Sequence, residues 1–238
     1  MFFGLNKICS DLKGPIAAVG HRGDYTVYEE NTSKAIKMAC ANGVDLVEID
    51  VQLTSENDLV CFHNPYVELG CSERSRVNDV SSNDMVKRGY PLLHTVLVWL
   101  RLKYPDVAVI LDCKHSNSLR IEKFSEQVGV SRLLNTRVGV YANNPKSIIR
   151  LRSDHPDMVL LKGTTSVGVV GKFDDYVDGY MIGGNAVVTD SVEKAHSNSK
   201  FVLAHKGGLS KYNWKQFLDY CISIHCDGCL CGDTSVFR

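Results

Sequence analysis

The 238-residue chain carries no net charge: 27 basic residues balance 27 acidic ones. That balance excludes the bulk electrostatic attraction on which nucleic-acid binders rely. No block of like charge and no basic run interleaved with aromatics is present either. Nucleic acid is therefore not expected as a partner. Long hydrophobic runs are also missing. The longest, Leu92 to Leu102, is interrupted by His94 and Arg101 and falls short of the ~20 residues a membrane-spanning helix needs. The apolar start, Met1-Phe2-Phe3-Gly4-Leu5, lacks the charged region of a secretory leader, so no leader is expected. For Phe2-Phe3, packing across the bottom of the fold is expected ahead of a peripheral membrane contact. There is no linker, low-complexity segment or composition break, and the expectation is one domain over 1–238. The oligomeric state is not legible.

Cysteine, by contrast, is plentiful. Nine are present, an odd number, and Cys40, Cys61, Cys113 and Cys221 fall in apolar segments. This pattern fits a reducing, cytoplasmic location, with thiols serving as small hydrophobes. The Cys226-x-x-Cys229 pair has no second pair and fails the zinc pattern.

Strand-like runs rich in Val, Ile and Leu recur at Ile16–Gly20, Leu46–Leu53, Leu59–His63, Val107–Cys113, Arg137–Ala142, Met158–Lys162, Gly179–Ile182, Phe201–His205 and Gly228–Cys231. Helical periodicity fills several gaps. Asn31 is expected to cap a helix that Gly43 ends, Asn144-Pro145 to start another, and Trp214 to Ile222 to form a third. Such alternation predicts an α/β fold, either a TIM-type (β/α)8 barrel or an open doubly wound sheet. The first strand lacks the G-x-G-x-x-G turn of a dinucleotide fold. Ionisable residues end several strands: His21, Glu48 with Asp50, His63, and Asp112 with Lys114. A barrel active site requires that placement.

From Asp50 to His63 there is no room for a crossover helix, so an extra β-hairpin is expected there. A turn at Glu56-Asn57 with symmetric register would bring His63 opposite Asp50. Glu48 and Asp50, two apart in a strand, share a face, as do Asp112 and Lys114. Three converging carboxylates need a compensating cation, and an all-oxygen set suits Mg2+ or Ca2+. His21 and His63 can act as base and acid, Arg22 as a bidentate phosphate fork and Lys114 as a point charge. The remaining histidines, His94, His115, His155, His196, His205 and His225, read by default as capping or core residues, although His205 and Lys206 also end a strand, a position from which they would face the pocket.

Gly20-His21-Arg22-Gly23, Glu30-Asn31-Thr32, Val47 to Thr54, and Val60-Cys61-Phe62-His63 together resemble the glycerophosphodiester phosphodiesterase family. Ile110 to Lys114 and Asp227-Gly228 continue the match. The resemblance implies a TIM-type barrel and a divalent cation at Glu48, Asp50 and Asp112. It also implies acid–base work by His21 and His63, phosphate contacts from Arg22 and Lys114, and a small phosphodiester as substrate. Glu30 and Asn31 are expected to brace the helix start. The late Trp-Thr-x-Asn element of the family is Ala204-His205-Lys206-Gly207 here. Asp112 followed by Lys114 is also similar to lysophospholipid-cleaving, cyclising enzymes on the same barrel, and a silent phosphodiester-binding barrel is a third possibility.

Overall fold

The computed structural model describes residues 12–70, 73–114, 121–135, 137–207 and 212–238. The segment Met1 to Cys9 and His115 lie outside the described residues. In chain order the elements are β1 (Ala17–His21), α1 (Ser33–Ala41), β2 (Leu46–Leu53), β3 (Leu59–Cys61), β4 (Tyr66–Gly70), β5 (Glu73–Arg76), α2 (Ser82–Lys87), α3 (Leu93–Lys103) and β6 (Ala108–Cys113). Then come α4 (Ile121–Leu134), β7 (Val138–Ala142), α5 (Pro145–Asp154), β8 (Leu160–Thr164), β9 (Gly179–Gly183), α6 (Thr189–Ser197), β10 (Phe201–His205), α7 (Trp214–Ser223) and β11 (Gly228–Cys231).

Eight parallel strands close into a ring in the order β1, β2, β6, β7, β8, β9, β10, β11, and β11 returns to pair with β1. The expected TIM-type barrel is therefore present, and an open sheet is excluded. Alternation along each strand builds two apolar layers. Ala17, Val19, Leu46, Ala108, Ile110, Leu161, Met181, Phe201, Leu203 and Leu230 fill the interior. Their outward neighbours, such as Ala18, Val47, Ile49, Val109 and Leu111, pack with the helices. Inner-face positions nearest the C-terminal strand ends are polar instead, and the site begins there. Among the described residues no helix is long and apolar enough to cross a membrane.

The hairpin between the second and third strand candidates forms, but in a different register from the one expected. Val51 pairs with Cys61 and Leu53 with Leu59, and the Phe62 amide donates to the Asp50 carbonyl at 3.0 Å. The Thr54 amide donates to the Asp58 carbonyl, and Asn57 takes a left-handed φ of 67°. The loop thus has three residues, Ser55 to Asn57, instead of two. An odd loop shifts the mirror point by half a residue. Phe62, not His63, is opposite Asp50.

Asn31 is not the helix cap. Thr32 caps α1 by accepting from the Ala35 amide, while Asn31 adopts φ 59° and turns its side chain elsewhere. Asn144 does cap α5, accepting from the Lys146 amide ahead of an N1 proline. Gly23 is a steric necessity. Its φ is 85°, and a Cβ there would lie 2.5 Å from the Ala35 carbonyl carbon, so the first loop could not pack on α1.

Candidate active site

The mouth of the barrel is built by adjacent strand ends. His21 on β1 registers with Glu48 on β2, and Asp50 on β2 with Asp112 on β6. One oxygen from each of Glu48, Asp50 and Asp112 comes within 4.8 Å of the others, and all three residues are buried. Among the described residues this is the one such grouping of potential metal ligands; the thiols form none. The described cysteines are buried and unpaired.

Asp50, fully buried, is the hub. Its Oδ2 accepts from Asn31 Nδ2 at 2.7 Å, and its amide donates to Asn31 Oδ1 at 3.0 Å. Asn31, expected to brace a helix, instead grips this carboxylate. Arg22 Nε lies 3.0 Å from Asp50 Oδ2, and Lys114 Nζ lies 3.0 Å from Oδ1 and also pairs with Asp112. Arg22 Nη1 is held by both oxygens of Glu30, at 2.8 and 2.9 Å. The Arg22 amide donates to Glu48 Oε2, and its φ of 56° marks a strained backbone at a polar site. Glu30 thus steadies the guanidinium more than the helix.

The donor set fits a hard cation. Asp112 Oδ1 is buried without a hydrogen-bond partner and Asp50 Oδ1 has only the Lys114 ammonium beside it, an arrangement that leaves lone pairs for a cation. Burial, then repulsion from Asp50 and Asp112, pushes Glu48 well above its usual range. Burial pushes Asp112 up to about 7 against the pull of Lys114. Lys114 itself is raised by Asp112 and Asp50, which outweigh its desolvation.

These shifts set a stability prediction. An acid whose native pKa is raised stabilises the fold at low pH and loses that contribution as pH rises through the native value. His21 and His205 are depressed, chiefly by burial, and work in the opposite sense below about 6.5. Above 6.5 only the carboxylates remain. In chelator the melting temperature is expected to fall as pH rises from 6.5 through the Asp112 value of about 7, and Mg2+ or Ca2+ to reverse the fall. A flat profile in chelator would contradict the strained-carboxylate account.

His21 is nearly buried, its Nε2 4.0 Å from Glu48 Oε2 and its Nδ1 3.4 Å from the Tyr25 hydroxyl. It lines a cavity of about 510 Å3 with Arg22, Glu48, Asp112, Lys114 and His205. Tyr141, Asn143, Thr164 and Ser166 add hydroxyl and amide groups to that wall. His63 is not there. It lines a neighbouring cavity of about 830 Å3 with Glu29, Glu30, Phe62, Tyr66 and Tyr90. Gln52 Nε2 donates to the carbonyls of Phe62 and Asn64 and so fixes the turn carrying His63. The Arg22–Glu30 pair stands where the two cavities meet. Asp227 stays out of the site and holds the Val202 amide and His196 Nε2. His205, by default a core residue but flagged at its strand end, faces the cavity. The available signal was its two-residue spacing from Phe201 and Leu203 at a strand end, the same pattern that flags His21.

A closed parallel barrel with carboxylates, guanidinium, ammonium and imidazole gathered at its C-terminal mouth defines the class of (β/α)8 proteins with a polar site on the strand ends. The sequence model of the glycerophosphoryl diester phosphodiesterase family matches residues 21–214, and the chain belongs to that family. A glycerophosphodiester phosphodiesterase of Caldanaerobacter subterraneus subsp. tengcongensis is 36% identical over 69 residues, 29% of this chain and 28% of that protein. Human glycerophosphodiester phosphodiesterase 1 is 32% identical over 91 residues, 38% of this chain and 26% of that protein. The matches thus span about a quarter of these relatives' length. The fold is shared with a glycerophosphodiester phosphodiesterase of Agrobacterium tumefaciens, at TM-score 0.73 and 17% identity over 93% of this chain and 98% of that one. An Oleispira antarctica phosphodiesterase, solved with sn-glycerol-3-phosphate, gives TM-score 0.76 at 14% identity over 92% and 94% of the two chains.

Proposed function

We propose that this chain hydrolyses glycerophosphodiesters to glycerol 3-phosphate and an alcohol, as one barrel domain over residues 1–238. The observation that carries the reading is the convergence of Glu48, Asp50 and Asp112 beside Arg22, Lys114 and His21 at one cavity mouth. Family membership and the product bound in the Oleispira antarctica structure support the same substrate class. Glu48, Asp50 and Asp112 would hold a divalent cation, Mg2+ or Ca2+, supplying Lewis-acid charge to the phosphoryl oxygens.

Arg22 and Lys114 bind the non-bridging oxygens and orient phosphorus toward His21. A bond from water oxygen to phosphorus forms as the bond to the leaving alkoxide breaks. His21 accepts the water proton, and His63, on the outer cavity, returns a proton to the alkoxide. The described cysteines, buried and without disulfides, support a reducing, cytoplasmic location.

The test is a panel of glycerophosphocholine, glycerophosphoethanolamine and lysophosphatidylcholine, followed by phosphorus NMR with and without chelator. Glycerol 3-phosphate is expected from the glycerophosphodiesters, lost in chelator and restored by Mg2+ or Ca2+. A cyclic phosphate product would reassign the chain to internal attack on lysophospholipids. No product from any diester with either cation would leave only a binding role.

A further inference from the structure

β10 and β6 lie four strands apart in the ring of eight, so they form opposite walls of the barrel. β1, with His21 and Arg22 at its end, lies midway between them. Phe201 and Leu203 belong to the interior core, and strand alternation carries His205 onto the same inner face at the mouth. His205 lines the 510 Å3 cavity directly opposite the wall that bears Asp112 and Lys114. Its ring centroid is 4.5 Å from that of His21, with the planes tilted by 56°.

Every other cationic or imidazole group at this mouth has a partner. Arg22 has Glu30 and Asp50, Lys114 has Asp50 and Asp112, and His21 has Tyr25. His205 packs on His21 but, among the described residues, neither of its ring nitrogens has a hydrogen-bond partner. Gly183, its register neighbour on β9, places no side chain beside the Nδ1 edge. The half-buried ring therefore offers its N–H to the cavity, where a bound ligand can supply the acceptor. Burial, together with Arg22 and Lys114, holds His205 down at about 4. At neutral pH it is therefore an uncharged ring with one N–H to give and little capacity to act as a proton-donating acid. A hydrogen bond to anionic oxygen suits it; proton transfer to a leaving group does not.

We propose that His205 is a further catalytic residue of this site, donating an N–H hydrogen bond to a non-bridging oxygen of the phosphate bound at Arg22 and Lys114. The inference rests on reading the cavity as a phosphodiester site and adds to it a contact from the wall opposite Lys114.

Two readouts test it. In the first, wild-type protein with 15N-labelled histidine is titrated with inorganic phosphate in the presence of Mg2+. The His205 ring resonances are expected to shift with saturation, and His205→Ala to weaken phosphate binding about 10-fold, the scale of a hydrogen bond to a charged group. In the second, His205→Ala is expected to lower kcat on the best diester about 10- to 100-fold with Mg2+ affinity unchanged. His205→Gln, which keeps an N–H donor at similar reach, is expected to recover part of that loss. A ring that only braces His21 would give no recovery with Gln. The wild-type titration needs no variant, so a poorly folding His205→Ala does not spare the proposal. His205 resonances unmoved by saturating phosphate, or a His205→Ala kcat within twofold of wild type, would overturn it. If phosphate moves His205 but wild type hydrolyses no diester, the hydrolase reading fails and the contact stands. If wild type hydrolyses and His205→Ala is silent, the reverse holds.

Discussion

Replacement of His21 by alanine is expected to lower kcat for glycerophosphodiester hydrolysis by about 10²- to 10⁴-fold, the range that general acid–base catalysis supplies. The expectation follows from the two edges of one ring. Nδ1 lies 3.4 Å from the Tyr25 hydroxyl, and Nε2 points toward Glu48, 4.0 Å away. An Nδ1–H donated to Tyr25 leaves the Nε2 lone pair on the side where the carboxylates gather. Burial, His205 and Arg22 hold the His21 pKa well below 6.5, so at neutral pH the ring is ready to accept a proton. Because His21 is not among the three carboxylates, cation affinity and KM should change little. Steady-state kinetics beside a cation titration would check this. Undiminished turnover in His21→Ala would remove the ring from the chemistry.

Asp50→Asn should act differently and at least as strongly. The amide keeps the shape of the carboxylate but removes the charge shared by Arg22 and Lys114. It also removes one of three converging ligand oxygens. Cation affinity is expected to fall by roughly 10²-fold and turnover by about 10³-fold or more, several kcal/mol of charge stabilisation. Stability should change less than for a severed isolated ion pair, because Lys114 keeps Asp112 and Arg22 keeps Glu30. Excess cation should recover part of the Asp50→Asn loss and none of the His21→Ala loss. Wild-type cation affinity in Asp50→Asn, measured by calorimetry, would refute the ligand assignment.

Much of this was legible because barrel strands are short, apolar and regularly spaced. Alternation alone put Glu48 and Asp50 on one face, and in the structure they share the inner face of β2. What failed to show was decided by loop geometry. A three-residue turn cannot be told from a two-residue one by composition, and that single residue moved His63 from a position facing Asp50 to the outer cavity. Asn31 carried a strong capping signal, yet Thr32 beside it carries one too. The left-handed backbone at Asn31 freed its amide for Asp50. The β8 strand begins two residues later than the apolar run suggests, because Met158 and Val159 are buried before the ladder starts. β4 and β5 left no periodic trace, being short and mostly exposed.

The Arg22–Glu30 pair, set between two unlike chambers, gives the site a sense of direction. One side meets an approaching molecule with the hydroxyl and amide groups of Tyr141, Asn143, Thr164 and Ser166. The other meets it with the rings of Tyr66 and Tyr90 and the charges of Glu29, Glu68, Arg74 and Arg88. A phosphodiester has two ester bonds that are chemically alike at phosphorus and differ only in what hangs from them. Walls of different character on the two sides of one guanidinium turn that near-symmetric linkage into one with a head and a tail.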